Sequence, residues 1–232
     1  MSHIQIAIDG PSGAGKSSLS RAVARSLGII YVDTGALYRT VGYYARSKGI
    51  TLENIADIIP HLGNITIEVK YENGIQCVYL NGENLGDRIR ENEISMYASK
   101  VSAVPAVRAF LLDTQKDIAR KNSVIMDGRD IGTVILPDAH VKIFLTASNE
   151  VRAVRRVKEL AEKGMPASYE EVLADMIKRD EQDRSRDVAP AVAAPDAIHF
   201  DNSYDGFDEA LDALMVVIRN TLTEKGITYE QA

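Results

Sequence analysis

A glycine-rich segment near the start of the chain carries the residues best suited to chemistry. Gly10 to Ser17 reads Gly-Pro-Ser-Gly-Ala-Gly-Lys-Ser and matches the pattern G-x-x-x-x-G-K-[ST]. In such a loop the backbone N–H groups turn inward around phosphate oxygens, and the N-terminus of the following helix adds partial positive charge. Lys16 reaches the β- and γ-phosphates, and the hydroxyl of Ser17 ligates Mg²⁺. The segment therefore predicts a loop that binds the phosphates of a nucleotide.

Arginines are the second group of residues that could act on phosphate. Several of them lie close to predicted strand ends or in one charged helical segment. The arginines considered are Arg39, Arg90, Arg108, Arg129, Arg152, Arg155, Arg156, Arg179, Arg184 and Arg186. Phosphoryl transfer requires fixed positive charge around the transferring group and exclusion of water, and an arginine-bearing lid supplies both. A single surface arginine is usually only solvated, so the grouping favours a kinase more than any one residue does. The chain contains no Asn-Lys-x-Asp segment, which argues against a GTPase.

The elements that must position these residues follow a strand–loop–helix order. Short apolar runs that each end in a polar residue lie at 4–8, 29–32, 124–126, 141–145 and 197–200. A helix is predicted over 17–27, between the first two runs. This pattern predicts an α/β fold with a five-stranded parallel sheet flanked by helices. Ligands of such sheets bind beyond the carboxyl ends of the strands. Four polar residues are expected there: Asp9, Asp33, Asp127 and Thr146.

Two segments depart from this order. Residues 63–87 alternate polar and apolar side chains around Asn-Gly turns, which predicts a small antiparallel β insert, or else a surface hairpin without functional importance. Residues 150–187 are highly charged and helical in pattern, with a capping box from Ser168 to Glu171 and a break at 163–166. Two helices with little apolar surface favour a mobile helical lid, although a solvated helical hairpin has the same pattern.

Composition limits the possible functions. The 232 residues are 45% hydrophobic and 26% charged, which is typical of a globular chain, here expected to form one domain over 1–232. The net charge of −6 argues against a protein that coats nucleic acid. No apolar run approaches the ~20 residues of a membrane span, and the N-terminus lacks the features of a signal peptide. One cysteine and four histidines provide neither a disulfide nor a Cys/His metal cage. We expect a cytoplasmic protein and, by default, a monomer.

Four motifs are more selective when they are taken together. They are Asp9 to Ser17 (DGPSGAGKS), Asp33 to Arg39 (DTGALYR), Asp127 to Gly132 (DGRDIG) and Arg179 to Arg186 (RDEQDRSR). In this order they resemble the motifs of bacterial cytidylate kinases, which are P-loop nucleoside monophosphate kinases, and the resemblance runs essentially end to end. It implies transfer of the γ-phosphoryl group of ATP to CMP or dCMP with Mg²⁺, a β insert that is part of the monophosphate site, and a closing lid.

The resemblance also implies roles for individual residues. It assigns ATP to the phosphate loop, the next serine and one arginine: Gly10, Pro11, Ser12, Gly13, Ala14, Gly15, Lys16, Ser17, Ser18 and Arg155. It assigns the phosphate of the acceptor to Arg39, Arg129 and Arg186, and the base of the acceptor to Ser99, Arg108 and Asp130. The ribose of the acceptor is assigned to Arg179 and Asp183, and the acceptor subsite also includes Thr34 and Tyr38. The resemblance implies that the charge of the transition state is stabilised by Lys16, Arg129, Arg179 and Arg186. Thr34 stands where serine is frequent in the family, and both residues carry a hydroxyl.

The chemistry of the bases supports the acceptor assignment. Cytosine offers an amino donor beside ring acceptors, so the carboxylate of Asp130 can accept from the amino group while Arg108 donates to the ring. Uracil would place a carbonyl oxygen against the carboxylate. The alternatives are a P-loop kinase with another small acceptor, such as a uridylate, thymidylate or shikimate kinase, and a nucleotide-dependent switch that binds ATP without acceptor-dependent turnover.

Overall fold

The computed structural model describes residues 3–72, 74–162, 164–204 and 206–227. The chain forms two compact units, the first containing the residues up to Tyr31 and from Asn122 onward, and the second containing Val32–Lys121. The strands are β1 (Gln5–Asp9), β2 (Ile30–Asp33), β3 (Ile67–Glu72), β4 (Ile75–Leu80), β5 (Glu83–Asn84), β6 (Val124–Gly128), β7 (Val141–Thr146) and β8 (Ile198–Asp201). The helices are α1 (Lys16–Leu27), α2 (Thr34–Ser47), α3 (Asn92–Ser102), α4 (Pro105–Lys121), α5 (Asn149–Glu162), α6 (Tyr169–Ser185) and α7 (Phe207–Glu224). Two 3-10 helices cover Ile55–Asn64 and Gly86–Arg90, and a π-helical turn covers Ile131–Ile135.

The main sheet has five parallel strands in the order β2-β6-β1-β7-β8, which confirms the predicted fold class. β1 lies in the centre and pairs with β6 and β7. Asp9, the last residue of β1, is level with Gly128 on one side and Phe144 on the other. The ends of these three strands therefore lie side by side, and the segments that follow them start from one edge of the sheet.

The core of the first unit joins β-branched strand residues to the apolar faces of two helices. Ile8 of β1 and Ile143 of β7 are buried in one cluster with Val23 of α1 and Leu214 of α7. Each fully buried side chain of this size contributes about 1.5–3 kcal/mol to stability. This packing holds α1, whose first turn adjoins the phosphate loop, in place against the sheet.

The second unit has its own core and its own small sheet. Leu37 of α2, Ile94 of α3 and Leu111 of α4 are fully buried together. A Cβ atom on Gly42 of α2 would lie 2.9 Å from Cβ of Tyr97, so the glycine permits close packing of α2 on α3. Strands β3, β4 and β5 form a three-stranded antiparallel sheet, as the alternation over 63–87 predicts. Asn73, in the predicted turn, lies outside the described residues.

The charged segment at 150–187 contains the helical pair α5 and α6, as predicted. Ser168 accepts a hydrogen bond from the backbone N–H of Glu171, and the Glu171 side chain accepts one from Ser168, which completes the capping box. Val172 and Met176 are the residues of α6 that are buried, and they pack with Leu160 of α5. Lys163, in the predicted break, lies outside the described residues. No helix of the described part of the chain is long and apolar enough to cross a membrane.

Candidate active site

The phosphate loop connects β1 to α1, as the sequence predicts, and its backbone requires glycine at both ends. Gly10 and Gly15 have φ of 142° and 97°, which residues with side chains rarely adopt. A Cβ atom on Gly10 would lie 2.0 Å from the backbone oxygen of Leu145, so the loop leaves β1 in contact with β7. Gly15 is the N-cap of α1, and the N–H groups at the start of α1 are therefore available to a phosphate next to the loop.

Lys16 is buried at the start of α1, and its ammonium group donates to the backbone oxygen of Pro11 over 2.7 Å. Burial and, after it, the nearby guanidinium of Arg129 lower the pKa of Lys16 from 10.5 to about 7, although the carboxylates of Asp127 and Asp9 act in the opposite direction. The lysine is thus held inside the loop by a backbone acceptor. An anionic phosphate in the loop would favour its charged form.

Ser17 is bound to a carboxylate that lies 110 residues away in the chain. Its hydroxyl donates to Oδ2 of Asp127 over 2.5 Å, and the hydroxyl of Tyr31 donates to Oδ1 over 3.0 Å. Asp127 is buried near the end of β6. The sequence places Asp127 at this edge of the sheet but gives no partner for it. The pair puts a hydroxyl and a carboxylate oxygen next to each other beside Lys16. Ser18, the next residue, is exposed.

Asp9 joins the phosphate loop to the turn that carries Arg129 and Asp130. Its two carboxylate oxygens accept from the backbone N–H groups of Ile131 and Gly132, each over 2.7 Å. Burial raises the pKa of Asp9 to about 6, although these two hydrogen bonds lower it, and the charge of Asp130 raises it as well. The position of the 131–135 turn therefore depends on a buried carboxylate at the end of β1.

Asp9→Asn is expected to remove a pH-dependent part of the free energy of unfolding. Since the pKa of Asp9 is about 6 in the fold and 3.8 ordinarily, its contribution is present below about pH 3.8 and is lost as the pH rises to about 6. The stability of the wild type relative to Asp9→Asn should thus fall across this range, by about 3 kcal/mol at most. Urea unfolding at about pH 4 and about pH 7 measures the difference.

The matched control for this experiment is Asp212→Asn, which makes the same chemical change on the exposed face of α7. The two variants share the loss of one carboxylate, so their comparison isolates the effect of burial. A wild-type advantage over Asp9→Asn that stays constant from about pH 4 to about pH 7 would contradict the assignment of a raised pKa to Asp9.

Asp183 of α6 holds two of the arginines predicted to bind the acceptor phosphate. Nε of Arg129 donates to Oδ2 of Asp183 over 3.0 Å, and Nη1 of Arg186 lies 3.9 Å from Oδ1. One carboxylate between two guanidinium groups offsets their repulsion and fixes both. Arg179 is half-buried one turn earlier on α6. The structure thus brings Arg129, Asp183 and Arg186 together, although Asp183 is predicted from the resemblance as a contact to ribose.

Arg152 of α5 is a candidate that the sequence includes only among the grouped arginines. Its guanidinium group is almost fully buried, forms an ion pair with Asp180 of α6 at 2.6 Å, and donates to the backbone oxygen of Ser12 over 2.9 Å. A Cβ atom on Gly13 would lie 2.8 Å from the methyl group of Met176. Two residues of α6 therefore lie against the phosphate loop or against an arginine bound to it. The spacing of these residues along the chain gives no signal of this arrangement.

A cavity of about 470 Å³ lies beside the loop within the first unit. Its lining includes Pro11 of the loop, Thr146 at the end of β7, Arg129, Arg152 and Asp183. Arg155, predicted to bind ATP, donates from Nη2 to the backbone oxygen of Asn202 over 2.8 Å. The cavity gives Arg129, Arg152 and the charged groups of α6 a common space beside the loop.

In the second unit, Asp33 at the end of β2 fixes the start of α2. Its Oδ1 accepts from the backbone N–H of Ala36 over 3.0 Å, and its Oδ2 forms an ion pair with Arg39 at 2.6 Å. Gln76 of β4 accepts from the backbone N–H of Asp33 over 2.8 Å and donates to the backbone oxygen of Asp33 over 3.2 Å. The β insert is therefore attached to the motif that carries Arg39.

Other predicted acceptor contacts also lie together in the second unit. The guanidinium of Arg108 lies over the ring of Tyr38, 5.4 Å from its centroid, and donates to the backbone oxygen of Ser102 over 3.2 Å. Arg108, Tyr38 and Thr34 are buried, and Ser99 of α3 is half-buried. A buried guanidinium stacked on an aromatic ring has a fixed direction, which is what recognition of a planar base requires.

The comparisons with known proteins agree with this geometry. A family model described as cytidylate kinase matches residues 6–220. The chain belongs to the cytidylate kinase family. The cytidylate kinase of Fervidobacterium nodosum is 47% identical over 219 residues, covering 94% of this chain and 97% of the relative. The cytidylate kinase of Clostridium tetani is 42% identical over 224 residues, covering 96% of this chain and 97% of the relative.

A solved structure supports the fold alone. An uncharacterized protein from Eubacterium ventriosum superposes with a TM-score of 0.50 at 15% identity, covering 94% of this chain and 99% of that chain. Family membership confirms the resemblance that the four motifs carry. The five-stranded parallel sheet with its small antiparallel sheet confirms the predicted fold class.

Proposed function

We propose that this protein transfers the γ-phosphoryl group of ATP to CMP and dCMP. The observation that carries the proposal is the sequence identity between this chain and curated cytidylate kinases. It extends along nearly the whole chain and is 47% for one relative and 42% for another. The geometry of the first unit supports it, because a phosphate loop with a buried lysine lies next to a group of paired arginines. Positive charge fixed in this way stabilises a transferring phosphoryl group.

The reaction needs no covalent intermediate with the protein. A phosphate oxygen of the acceptor attacks the γ-phosphorus in line, and the bond from that phosphorus to the β,γ-bridging oxygen breaks. The products are ADP and the nucleoside diphosphate, and no proton has to move when the acceptor phosphate is a dianion. The protein therefore contributes position, positive charge and exclusion of water.

On the donor side, the backbone of the loop from Gly10 to Ser17 is assigned to the phosphates of ATP. Lys16 donates to the oxygen of Pro11, a neutral acceptor that the γ-phosphate would replace. Lys16 would then stabilise the charge that develops on the phosphoryl oxygens in the transition state. Arg155 is assigned to the same substrate.

The residues beside Lys16 also fit Mg²⁺. The hydroxyl of Ser17 and the carboxylate of Asp127 are hard oxygen donors in direct contact, and Mg²⁺ in kinases is bound by one or two such groups together with phosphates and water. When bound, the ion would neutralise oxygens of the β- and γ-phosphates.

On the acceptor side, we assign residues within each unit separately. In the first unit, Arg129 and Arg186 bind the phosphate, and Asp183 holds both guanidinium groups apart and in position. Asp130 accepts from the amino group of cytosine, and Arg179 with Asp183 contacts the ribose. The carboxylate of Asp183 thus has two functions in this proposal, one toward the arginines and one toward the sugar.

In the second unit, Arg39 is assigned to the acceptor phosphate, oriented by Asp33. Arg108 donates to the ring acceptors of cytosine and is kept in position by the ring of Tyr38. Ser99 is assigned to the base as well. Thr34, the first residue of α2, is placed in the same subsite.

The test is a coupled assay of ADP release with CMP, dCMP, UMP, AMP, GMP, dTMP and shikimate as acceptors. We expect turnover with CMP and dCMP and much weaker turnover with the others. Preferred turnover of UMP, dTMP or shikimate would replace the proposal with another small-acceptor kinase. Tight ATP binding with no acceptor-dependent turnover would replace it with a nucleotide-dependent switch.

We also propose that the enzyme is a monomer in the cytoplasm that acts on small nucleotides, not on nucleic acid or membranes. The net charge of −6 and the single cysteine support this part of the proposal. Light scattering of the purified protein tests the oligomeric state, and fractionation of the source cells tests the location.

The helical pair α5–α6 is expected to exchange its amide hydrogens faster without nucleotides than with them. The buried side chains of α6 are Val172 and Met176, in a small cluster that Tyr169 and Leu173 partly cover. The ion pairs of Asp180 and Asp183 attach the second half of the helix, so its opening exposes little apolar surface. CMP together with a non-hydrolysable ATP analogue should slow exchange over 164–186, while α7 in the core serves as the reference. Equal protection of α6 in both conditions would contradict a lid.

A further inference from the structure

Asn202, the residue directly after β8, is a buried side chain that contacts the phosphate loop from the opposite end of the chain. Its amide nitrogen donates to the backbone oxygen of Ala14 over 2.9 Å, across 188 residues of sequence. A Cβ atom on Gly15 would lie 2.7 Å from that nitrogen, so the amide is packed against the loop as well as bonded to it. Neither the motifs nor the strand pattern assigns a role to this residue.

The backbone of Asn202 is held on both sides. Its N–H donates to the oxygen of Thr146 at the end of β7 over 2.8 Å, and its oxygen accepts from Nη2 of Arg155 over 2.8 Å. The other terminal nitrogen of Arg155, Nη1, is buried and has no hydrogen-bond partner among the described residues. Asn202 thus connects the ends of β7 and β8 to the phosphate loop. It also binds Arg155, which keeps one N–H group without a partner among the described residues.

The contact with Ala14 has a direct consequence for the loop. The described residues contain no cis peptide bond, so the carbonyl of Ala14 and the N–H of Gly15 point in opposite directions across one planar unit. When the amide of Asn202 binds the carbonyl, it directs the N–H of Gly15 to the other side of the loop. A loop of this type binds phosphate through backbone N–H groups that point inward.

We propose that Asn202 is a positioning residue for the ATP triphosphate: it orients the Ala14–Gly15 peptide and holds Arg155, while touching neither the acceptor nor the reacting atoms. This inference rests on the proposed function and extends it to the residue that organises the donor subsite. It requires a hydrogen-bond donor at position 202. An aspartate would place an oxygen against the oxygen of Ala14, and an alanine would leave that buried carbonyl without a partner.

The experiment compares Asn202→Asp and Asn202→Ala with Ser203→Ala. Ser203 lies in the same turn and accepts from the N–H of Ser148 over 2.8 Å, so its variant controls for disturbance of the turn. For each protein, calorimetry gives the Kd of ATP and of inorganic tripolyphosphate, steady-state kinetics gives the KM of ATP and of CMP, and thermal unfolding gives the Tm. If Asn202→Asp does not fold, Asn202→Ala alone decides the outcome.

We expect both variants at position 202 to raise the Kd of ATP and the Kd of tripolyphosphate by the same factor, about 10- to 30-fold. The KM of CMP should change by less than about twofold. Ser203→Ala should behave like the wild type. The inference would be overturned if the KM of ATP and the KM of CMP rose by the same factor, or if the affinity for ATP fell while the affinity for tripolyphosphate stayed unchanged. It would also be overturned if neither affinity changed. Wild-type protein without CMP-dependent turnover would overturn the proposed function, whereas the ATP and tripolyphosphate affinities would still decide the role of Asn202.

Discussion

Lys16→Ala is expected to lower kcat by about a thousandfold and to leave the protein folded. The lysine is buried inside the phosphate loop, and its proposed interaction with the γ-phosphate strengthens as charge develops in the transition state. Its loss should therefore reduce kcat more than it raises the KM of ATP. Burial lowers the pKa of Lys16 to about 7, which means that the fold disfavours its charge, so the alanine variant should not lose stability through this interaction.

Lys158→Ala is the matched control, because Lys158 is an exposed lysine of α5 in the same unit. Its kcat and Tm should equal those of the wild type. Coupled assays of ADP release give the rates, and thermal unfolding shows whether each variant is folded. A folded Lys16→Ala protein with near-normal kcat would remove Lys16 from phosphoryl transfer.

Asp130→Asn is expected to lower kcat/KM for CMP about a hundredfold and to narrow the preference for CMP over UMP by at least about tenfold. Asp130 is buried, and the turn that follows it is fixed by the two hydrogen bonds to Asp9, so its carboxylate has a defined direction. In its proposed role the carboxylate accepts from the cytosine amino group, whereas the amide of asparagine can turn its own NH₂ toward the uracil carbonyl. The KM of ATP should change by less than about threefold.

Measurement of kcat/KM for both pyrimidines separates this role from a structural one. If Asp130 serves only to orient a neighbouring arginine, CMP and UMP should lose activity by the same factor and their ratio should stay unchanged. Asp138→Asn, an exposed position shortly after the 131–135 turn, is the control for the loss of a carboxylate in this region. An unchanged ratio would leave the kinase assignment in place and remove Asp130 from base recognition.

The strands of the main sheet could be predicted, but their order could not. Five apolar runs with polar ends predict five parallel strands, but their order in the sheet depends on pairing between distant segments, such as β1 with β6 and β7. The helical pair α5–α6 was predictable from its charged helical pattern. Its capping box at Ser168 and Glu171 was predictable because the two residues lie within a single helical turn. Its attachment through Asp180 and Asp183 is not visible in the sequence.

The phosphate loop can be recognised from the chain alone, since it is contiguous and its glycines, lysine and serine set the local backbone and chemistry together. The side chains that support the loop become visible only in the folded protein. Ser17 binds Asp127, Asp9 binds the turn at 131, and Asn202 binds Ala14, across separations of 110, 122 and 188 residues. These contacts exist because parallel strands end at one edge of the sheet, and the residues that follow those ends meet there whatever their distance along the chain.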